Sequence, residues 1–310
     1  MKNKLSCIIP CYCSENTIAN VVASVRDVID ANEKYDYEII CVNDGSKDNT
    51  LATLQALAKE NRCIKVINLS KNFGQHAAVL AGFTYATGDI FVCLDDDGET
   101  PANEIFSLID KMETGGYDVV SARYGSDHRG IVRKVGTRVS MMMSHAMVGM
   151  PSHIEINSFL CMRRFVAMEM IKYQNAYPFI AGLILRVTRN IADVEITRNE
   201  RIAGSSHYSF KKLFALWLNG FTAFSEKPLR LASIFGALCA GGGILDAFVI
   251  IIKKYLGNIT VSGYTSIMAA ILIFSGVIML FLGLIGEYIG RIYICLNEAP
   301  QFVVKDTYNV

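Results

Sequence analysis

After Pro228 the chain changes character. Two long apolar segments, Leu231–Ile252 and Thr265–Ile285, follow each other across a short loop. As helices, each is long enough to cross a hydrocarbon core of about 30 Å. Such a pair must sit in lipid or form a buried hairpin in a soluble core, and the first solution suits segments this apolar, with Asp246 the one acid in the first. The short loop makes them a hairpin with both outer ends on one side. Lys211, Lys212, Lys227, Arg230 and Arg291 flank those ends, against Lys253 and Lys254 in the loop. The positive-inside rule then puts the rest of the chain in the cytoplasm, on a multi-pass anchor in the plasma (inner) membrane. The opening run MKNKLSCIIPCY holds too short an apolar stretch for a signal sequence. Nine cysteines, an odd number without zinc spacing, fit a reducing compartment.

Before the apolar pair, short apolar runs alternate with amphipathic stretches. Leu5–Pro10, Glu38–Val42, Ile64–Leu69, Ile90–Leu94 and Val119–Ala122 read as strands. Their near-continuous apolar character is that of strands buried on both faces. Residues 17–32, 48–60, 75–86 and 102–115 have helical spacing. The alternation predicts an α/β fold with a mostly parallel sheet, helices on both sides and ligands beyond the carboxyl ends of the strands. Residues 124–208 are less regular. Within them, 133–149 is basic and then methionine-rich, which suits a groove-lining helix near lipid and equally a core-facing helix. Residues 209–226 carry Lys211, Lys212, Phe214, Trp217 and Phe221 at helical spacings, as an interfacial helix would. The expected organisation is a cytoplasmic domain over 1–208, an interfacial segment over 209–228, a transmembrane hairpin over 229–290 and a cytoplasmic tail over 291–310. A net charge of +1 gives no reason to expect nucleic acid as a partner.

The post-strand loops carry the chemistry. Asp44-Gly45-Ser46 after the second strand can hold a base or ribose, and is also a common turn. No G-x-G-x-x-G follows either of the first two strands, so a dinucleotide fingerprint is absent. The fourth strand runs into Asp95-Asp96-Asp97-Gly98-Glu99. Carboxylates so crowded repel one another unless a cation sits among them, and Asp95 and Asp97 project to the same side of an extended strand. Hard oxygen ligands select Mg²⁺ or Mn²⁺, which would bridge the phosphates of a nucleoside diphosphate. A third cluster, Arg198, Arg201, Gly204, Ser205, Ser206, His207 and Tyr208, suits phosphate oxygens or a basic membrane surface.

Taken in order, Ile8-Ile9-Pro10…Glu15, Val42-Asn43-Asp44-Gly45-Ser46…Thr50, Leu69-Ser70-Lys71-Asn72-Phe73-Gly74 and Asp95-Asp96-Asp97 resemble a family 2 glycosyltransferase of the GT-A, Rossmann-like fold. Arg201…Gly204-Ser205-Ser206-His207-Tyr208-Ser209, Pro228-Leu229-Arg230 and Gly286-Glu287-Tyr288-Ile289-Gly290-Arg291 resemble the acceptor loop and hairpin of its polyisoprenyl-phosphate branch. The resemblance implies inverting transfer of a sugar from a UDP- or GDP-linked donor to a polyisoprenyl phosphate such as undecaprenyl phosphate, giving a lipid-linked monosaccharide for cell-envelope glycans. It places Pro10, Tyr12, Glu15, Asp44, Lys71 and Asp95 around the donor. Asp95 and Asp97 become the catalytic pair, holding Mg²⁺ or Mn²⁺ together with Glu99. Arg133, Arg201, Ser206 and His207 would hold the acceptor phosphate, and relatives imply a homo-oligomer. Four positions depart from the pattern: Asn43 for Asp, Glu99 for Gln, His207 for Lys and Ser158 for Asp before Phe159. Transfer to another lipid or lipid-linked glycan is the nearest competing activity, but no Q-x-x-R-W motif of processive synthases appears. A non-catalytic membrane scaffold with a degenerate nucleotide fold is the competing class, and the intact Asp95/Asp97 pair argues against it.

Overall fold

A computed structural model describes residues 2–32, 34–124, 154–175, 178–197, 263–297 and 300–310, with scattered positions between 234 and 256. The chain divides into two compact units, Met1–Leu213 with Glu298–Val310, and Phe214–Asn297.

The first unit alternates strand and helix as the apolar pattern predicts. Strand β1 (Asn3–Cys11) leads to helix α1 (Ile18–Asp30), β2 (Tyr35–Asn43), α2 (Thr50–Glu60), β3 (Ile64–Leu69), α3 (Gln75–Tyr85) and β4 (Ile90–Cys93). A 3-10 turn at Ala102–Glu104 precedes α4 (Ile105–Gly115) and β5 (Val119–Tyr124). The less regular stretch that follows supplies β6 (Leu160–Arg163), α5 (Arg164–Met170), α6 (Ile180–Val187) and β7 (Ile191–Ile196). In α1, the buried residues Ile18, Val21, Val22, Val25 and Ile29 form one apolar stripe, which is what holds the helix on the sheet. β1 lies inside the sheet and is buried along both faces from Leu5 onward, so its sequence shows no alternation.

The sheet has eight strands in the order β7-β5-β6-β4-β1-β2-β3-β8, where β8 is Val304–Tyr308. β1 pairs in parallel with β2 and β4, β2 with β3, and β5 with β7. β6 runs antiparallel between β4 and β5, and β8 runs antiparallel beside β3. The chain winds outward from β1 through β2 to β3 and then returns to β4 on the other side of β1. That reversal sets the loops leaving β1 and β4 side by side, at the crevice beyond the carboxyl ends of the strands where ligands of such sheets bind.

The last twenty residues, expected as a tail over 291–310, carry regular structure. Helix α7 spans Tyr264–Leu296, so it runs on past Ile285 and through Arg291. A polar residue ends an apolar count but leaves the backbone hydrogen bonds of a helix intact, which is why composition stopped short. Beyond it, Val304–Tyr308 joins the sheet, with Asn68 opposite Asp306 and Val66 opposite Tyr308. Ser70 N donates to Val303 O at 2.9 Å, and Gln55 Nε2 to the Tyr308 hydroxyl at 2.7 Å.

In the second unit, Phe274–Ile294 within α7 is long and apolar enough to cross a membrane, the one such helix among the described residues. Phe274, Ile278, Met279, Leu282 and Ile285 are exposed on it. Described positions from Ile234 to Ile252 are helical, within the other expected span. The interfacial segment 209–228 lies outside the described residues.

Candidate active site

The crevice between the ends of β1 and β4 is built by carboxylates that tie loops together. Asp96 Oδ2 accepts the backbone N–H of Tyr12 at 2.9 Å, and its carbonyl accepts Thr17 Oγ1 at 2.7 Å. Asp96 therefore joins the post-β4 loop to the post-β1 loop. Asp95 faces the other way. Its Oδ1 accepts Gln75 Nε2 at 2.8 Å, from the first turn of α3, and its Oδ2 accepts the Ser158 hydroxyl. Asp97 Oδ1 accepts the N–H of Glu99 at 3.0 Å, with Gly98 at φ +78° making the turn.

This clustering shows in the electrostatics. Burial pushes the Asp95 carboxyl up to about 6, with the charges of Asp97 and Asp96 adding to it and hydrogen bonds from Ser158 and Gln75 opposing it. Burial also raises Asp96, against the hydrogen bond from Tyr12. A cation would relieve the repulsion that Asp97 and Asp96 exert on Asp95. Among the described residues no three His, Cys, Asp or Glu side chains converge as a complete ligand set. Two carboxylates with the remaining positions left to phosphate and water is the usual arrangement for Mg²⁺, and Asp95 with Asp97 fits that partial donor set.

The β2 side is equally tied. Asp44, 3% exposed, accepts the N–H of Phe73 at 2.7 Å and of Gly74 at 2.8 Å, one on each oxygen. Burial raises its pKa in spite of these bonds. Gly45 sits at φ +63°, and a Cβ there would lie 2.4 Å from the Lys71 carbonyl carbon. Only glycine lets the two loops approach so closely. Glu15 Oε2 accepts the N–H of Asn49 at 2.8 Å, at the N-terminus of α2. Cys13 N donates to Ser46 Oγ at 3.0 Å, and Ser14 N to Thr50 Oγ1 at 2.8 Å.

Of the residues read as donor-binding, Pro10 is buried at the end of β1, Tyr12 is 49% exposed at the crevice, and Lys71 is exposed with Nζ 5.1 Å from the Phe73 ring centre. Glu15 and Asp44 are at the same end of the sheet, but each holds backbone N–H groups and thereby fixes a loop. Arg133, Arg201, Ser206 and His207 lie outside the described residues. Sequence reasoning missed Gln75 and the stitching role of Asp96. A polar residue opening a helix directly after Asn72-Phe73-Gly74 was the available signal for Gln75. It also missed His76, which packs edge-on against Phe179 at 5.4 Å and is pushed down to about 4 by burial, so it is neutral. Ser158 had been marked as a departure, and it proves to touch Asp95.

Comparison with known proteins gives the family. Residues 6–171 match the model of glycosyl transferase family 2, and residues 227–292 match the GtrB C-terminal hairpin. An uncharacterized glycosyltransferase of Bacillus subtilis, YkcC, is 35% identical over 98% of this chain and 94% of its own length. The undecaprenyl-phosphate 4-deoxy-4-formamido-L-arabinose transferase of Proteus mirabilis is 33% identical over 99% and 95%. A prophage bactoprenol glucosyl transferase homolog of Escherichia coli is 32% identical over 97% and 98%. Among solved structures, the glucosyl-3-phosphoglycerate synthase of Mycobacterium tuberculosis, crystallised with Mn²⁺ and UDP-glucose, superposes with a TM-score of 0.54 at 20% identity, covering 71% of this chain and 77% of that one. The fold is thus GT-A-like, and the chain belongs to glycosyl transferase family 2.

Proposed function

We propose that this protein transfers a sugar, with inversion, from a UDP- or GDP-linked donor to a polyisoprenyl phosphate held in the membrane. The observation that carries the reading is the carboxylate cluster where β4 ends, with Asp95 half-buried among like charges beside the crevice. The names of the full-length relatives, which include undecaprenyl-phosphate and bactoprenol transferases, support the acceptor class.

The chemistry follows from what the residues can and cannot do. An oxygen of the lipid phosphate attacks the anomeric carbon in line, and the bond from that carbon to the nucleoside diphosphate breaks, its electron pair leaving on the β-phosphate. A phosphate monoester has its second pKa near about 6, so the nucleophile is already anionic and no proton must be removed. Position 158 accords with this. It carries a hydroxyl that donates to Asp95, where an alcohol acceptor would need a base. Tyr12 and Lys71 line the donor side, and the loops fixed by Asp44, Glu15 and Asp96 set their positions. A divalent cation, Mg²⁺ or Mn²⁺, held by Asp95 and Asp97 with Glu99 nearby, would neutralise the charge gathering on the departing diphosphate.

Arg133, Arg201, Ser206 and His207 are the residues we assign to the acceptor phosphate, the last three shortly before, in sequence, a two-helix hairpin over 229–290 that anchors the cytoplasmic domain. The match of residues 227–292 to a C-terminal hairpin supports that anchor. The test is to incubate the purified protein with radiolabelled sugar nucleotides and undecaprenyl phosphate. Label should enter an organic-extractable, acid-labile lipid. Transfer to the dephosphorylated lipid alcohol, or from no sugar nucleotide in a full panel, would refute the proposal.

A further inference from the structure

One row of side chains crosses the sheet at the carboxyl ends of its strands. Cys11 on β1 is opposite Asn43 on β2, Asn43 is opposite Asn68 on β3, and Asn68 is opposite Asp306 on the C-terminal strand β8. Three of these side chains form a continuous hydrogen-bonded chain. Asn68 Nδ2 donates to Asp306 Oδ2 at 3.1 Å, and Asn43 Nδ2 donates to Asn68 Oδ1 at 2.9 Å. Asn43 Oδ1 in turn accepts the N–H of Ser46 at 3.4 Å. The hydroxyl of Ser46 accepts the N–H of Cys13, in the post-β1 loop between Tyr12 and Glu15. Asn43 and Asn68 are 2% and 5% exposed, so water does not stand in for a missing partner.

An asparagine amide presents a donor on one side and an acceptor on the other, and either orientation fits the same shape. Two facing asparagines therefore leave the direction of their chain undetermined. A carboxylate accepts only. Asp306 at the end of the row obliges Asn68 to turn its Nδ2 outward and its Oδ1 toward Asn43. Asn43 must then offer Nδ2 to Asn68, which leaves Oδ1 for Ser46. With the opposite direction, Asn43 would aim an N–H group at the Ser46 N–H, and the hold on the loop would be lost.

We infer that Asp306, on a strand that follows the membrane helix in sequence, is a positioning residue for the donor site. It sets the polarity of the Asn68–Asn43 chain that holds the Ser46 and Cys13 loops. The inference rests on the proposed reading of this crevice as the nucleotide site. It also accounts for Asn43 in place of the Asp of the common Asp-Asp-Gly-Ser pattern. An acid at 43 would face Asn68 Oδ1 with an acceptor, and Asn68 cannot turn while Asp306 takes its Nδ2. Positions 43 and 306 are coupled, one carboxylate between them.

The full-length protein in detergent is titrated with UDP and with GDP, and steady-state constants are measured with undecaprenyl phosphate. Asn43→Asp should weaken nucleotide binding at least tenfold. Asp306→Asn, which still offers an acceptor, should weaken it no more than threefold. The double variant Asn43→Asp/Asp306→Asn reverses the whole chain with every group paired, and should return to within threefold of wild type. The acceptor KM should stay within twofold throughout, a split that general loosening of the fold would not produce. Asp306→Lys puts a donor at an exposed edge position and should weaken nucleotide binding at least fivefold, a measurement that stands even where Asn43→Asp does not fold. A double variant as weak as Asn43→Asp, an Asp306→Lys indistinguishable from wild type, or equal losses in donor and acceptor constants would overturn the inference alone. Wild-type protein that binds neither nucleotide would overturn the donor-site reading, and the inference with it.

Discussion

The amino ends of the central strands hold a carboxylate as buried as any at the carboxyl ends, in the opposite electrostatic condition. Glu38, 2% exposed, lies 2.9 Å from Lys4 Nζ and 3.0 Å from Lys65 Nζ. It also accepts the Ser6 hydroxyl at 2.6 Å and the Thr87 N–H at 2.6 Å. Burial alone would raise its pKa, yet the bonds from Lys4, Ser6, Thr87 and Lys65 hold it down to about 2. At the other end Asp95 has two neutral donors and two like-charged neighbours, and is pushed up to about 6. A saturated acid joins strands; an uncompensated one is a place for a ligand of opposite charge. On the function proposed above, the difference separates what holds this sheet together from what it is used for.

The largest expected effect tests the uncompensated end. Asp97→Asn should lower transfer by about a thousandfold, on the order of 4 kcal/mol in the barrier, with the melting temperature unchanged or higher. Excess EDTA should abolish the wild-type rate and added Mn²⁺ or Mg²⁺ restore it. Full activity in EDTA would show that this end needs no cation and would break the contrast.

Glu38→Gln probes the saturated end and should do the reverse. Two lysine ammoniums lose their charge partner in a buried site, which costs about 3 kcal/mol. Calorimetry should show melting lowered by roughly 5–10 °C for a domain of this size, with donor and acceptor constants intact. A loss of activity without a loss of stability would mean that the two ends are not functionally distinct.

Acid sharpens the same comparison. The Glu38 pKa is about 2 in the fold against an ordinary value of 4.5, so it is depressed. Its contribution is complete above the ordinary value and is lost as pH falls through the folded one. Stability from this group should hold down to about pH 4.5 and decline by about 1–2 kcal/mol by about pH 3.5. In Glu38→Gln that part of the acid decline should be missing, as chemical denaturation at a series of pH values would reveal.

How much of this could be read beforehand follows from where the partners lie. β1 to β5 were legible because strands buried on both faces leave apolar runs, and the Asp95–Asp97 cluster because it is contiguous. β6 and β8 were not. Leu160–Arg163 is four residues long, and Val304–Tyr308 is polar along an edge, so neither leaves a periodic signal. Both are strands only by virtue of antiparallel partners far away in sequence. Asp44 was found by its turn, yet its bond to Phe73 spans 29 residues, so its hold on a second loop could not be seen. Glu38 was read only as the first residue of a strand; Lys4, Lys65 and Thr87, which hold its carboxylate, come from three other segments.

The smallest effect gives the finest test, because one chemical change can be made at both ends. Ser158 and Ser6 each donate a hydroxyl to a carboxylate, the half-buried Asp95 and the buried Glu38 respectively. Ser6 is fully buried, and its oxygen also accepts the Gly88 N–H at 2.9 Å. Ser6→Ala therefore leaves that N–H unpaired in the interior and should cost about 1–2 kcal/mol of stability. Its Mn²⁺ dependence should match wild type. Ser158 is exposed, so Ser158→Ala should leave melting within a degree or so. Its hydroxyl fixes the carboxylate we assign to the cation, and removing such a support weakens metal binding by about 10- to 100-fold. The Mn²⁺ needed for half the maximal rate should rise by about tenfold, with the maximal rate recovered at saturation. Asp97→Asn should show no such recovery. If Ser158→Ala instead lowers the rate at every Mn²⁺ concentration and leaves the half-maximal point alone, the hydroxyl acts on the sugar or the acceptor, and Asp95 is not the carboxylate through which the cation is held.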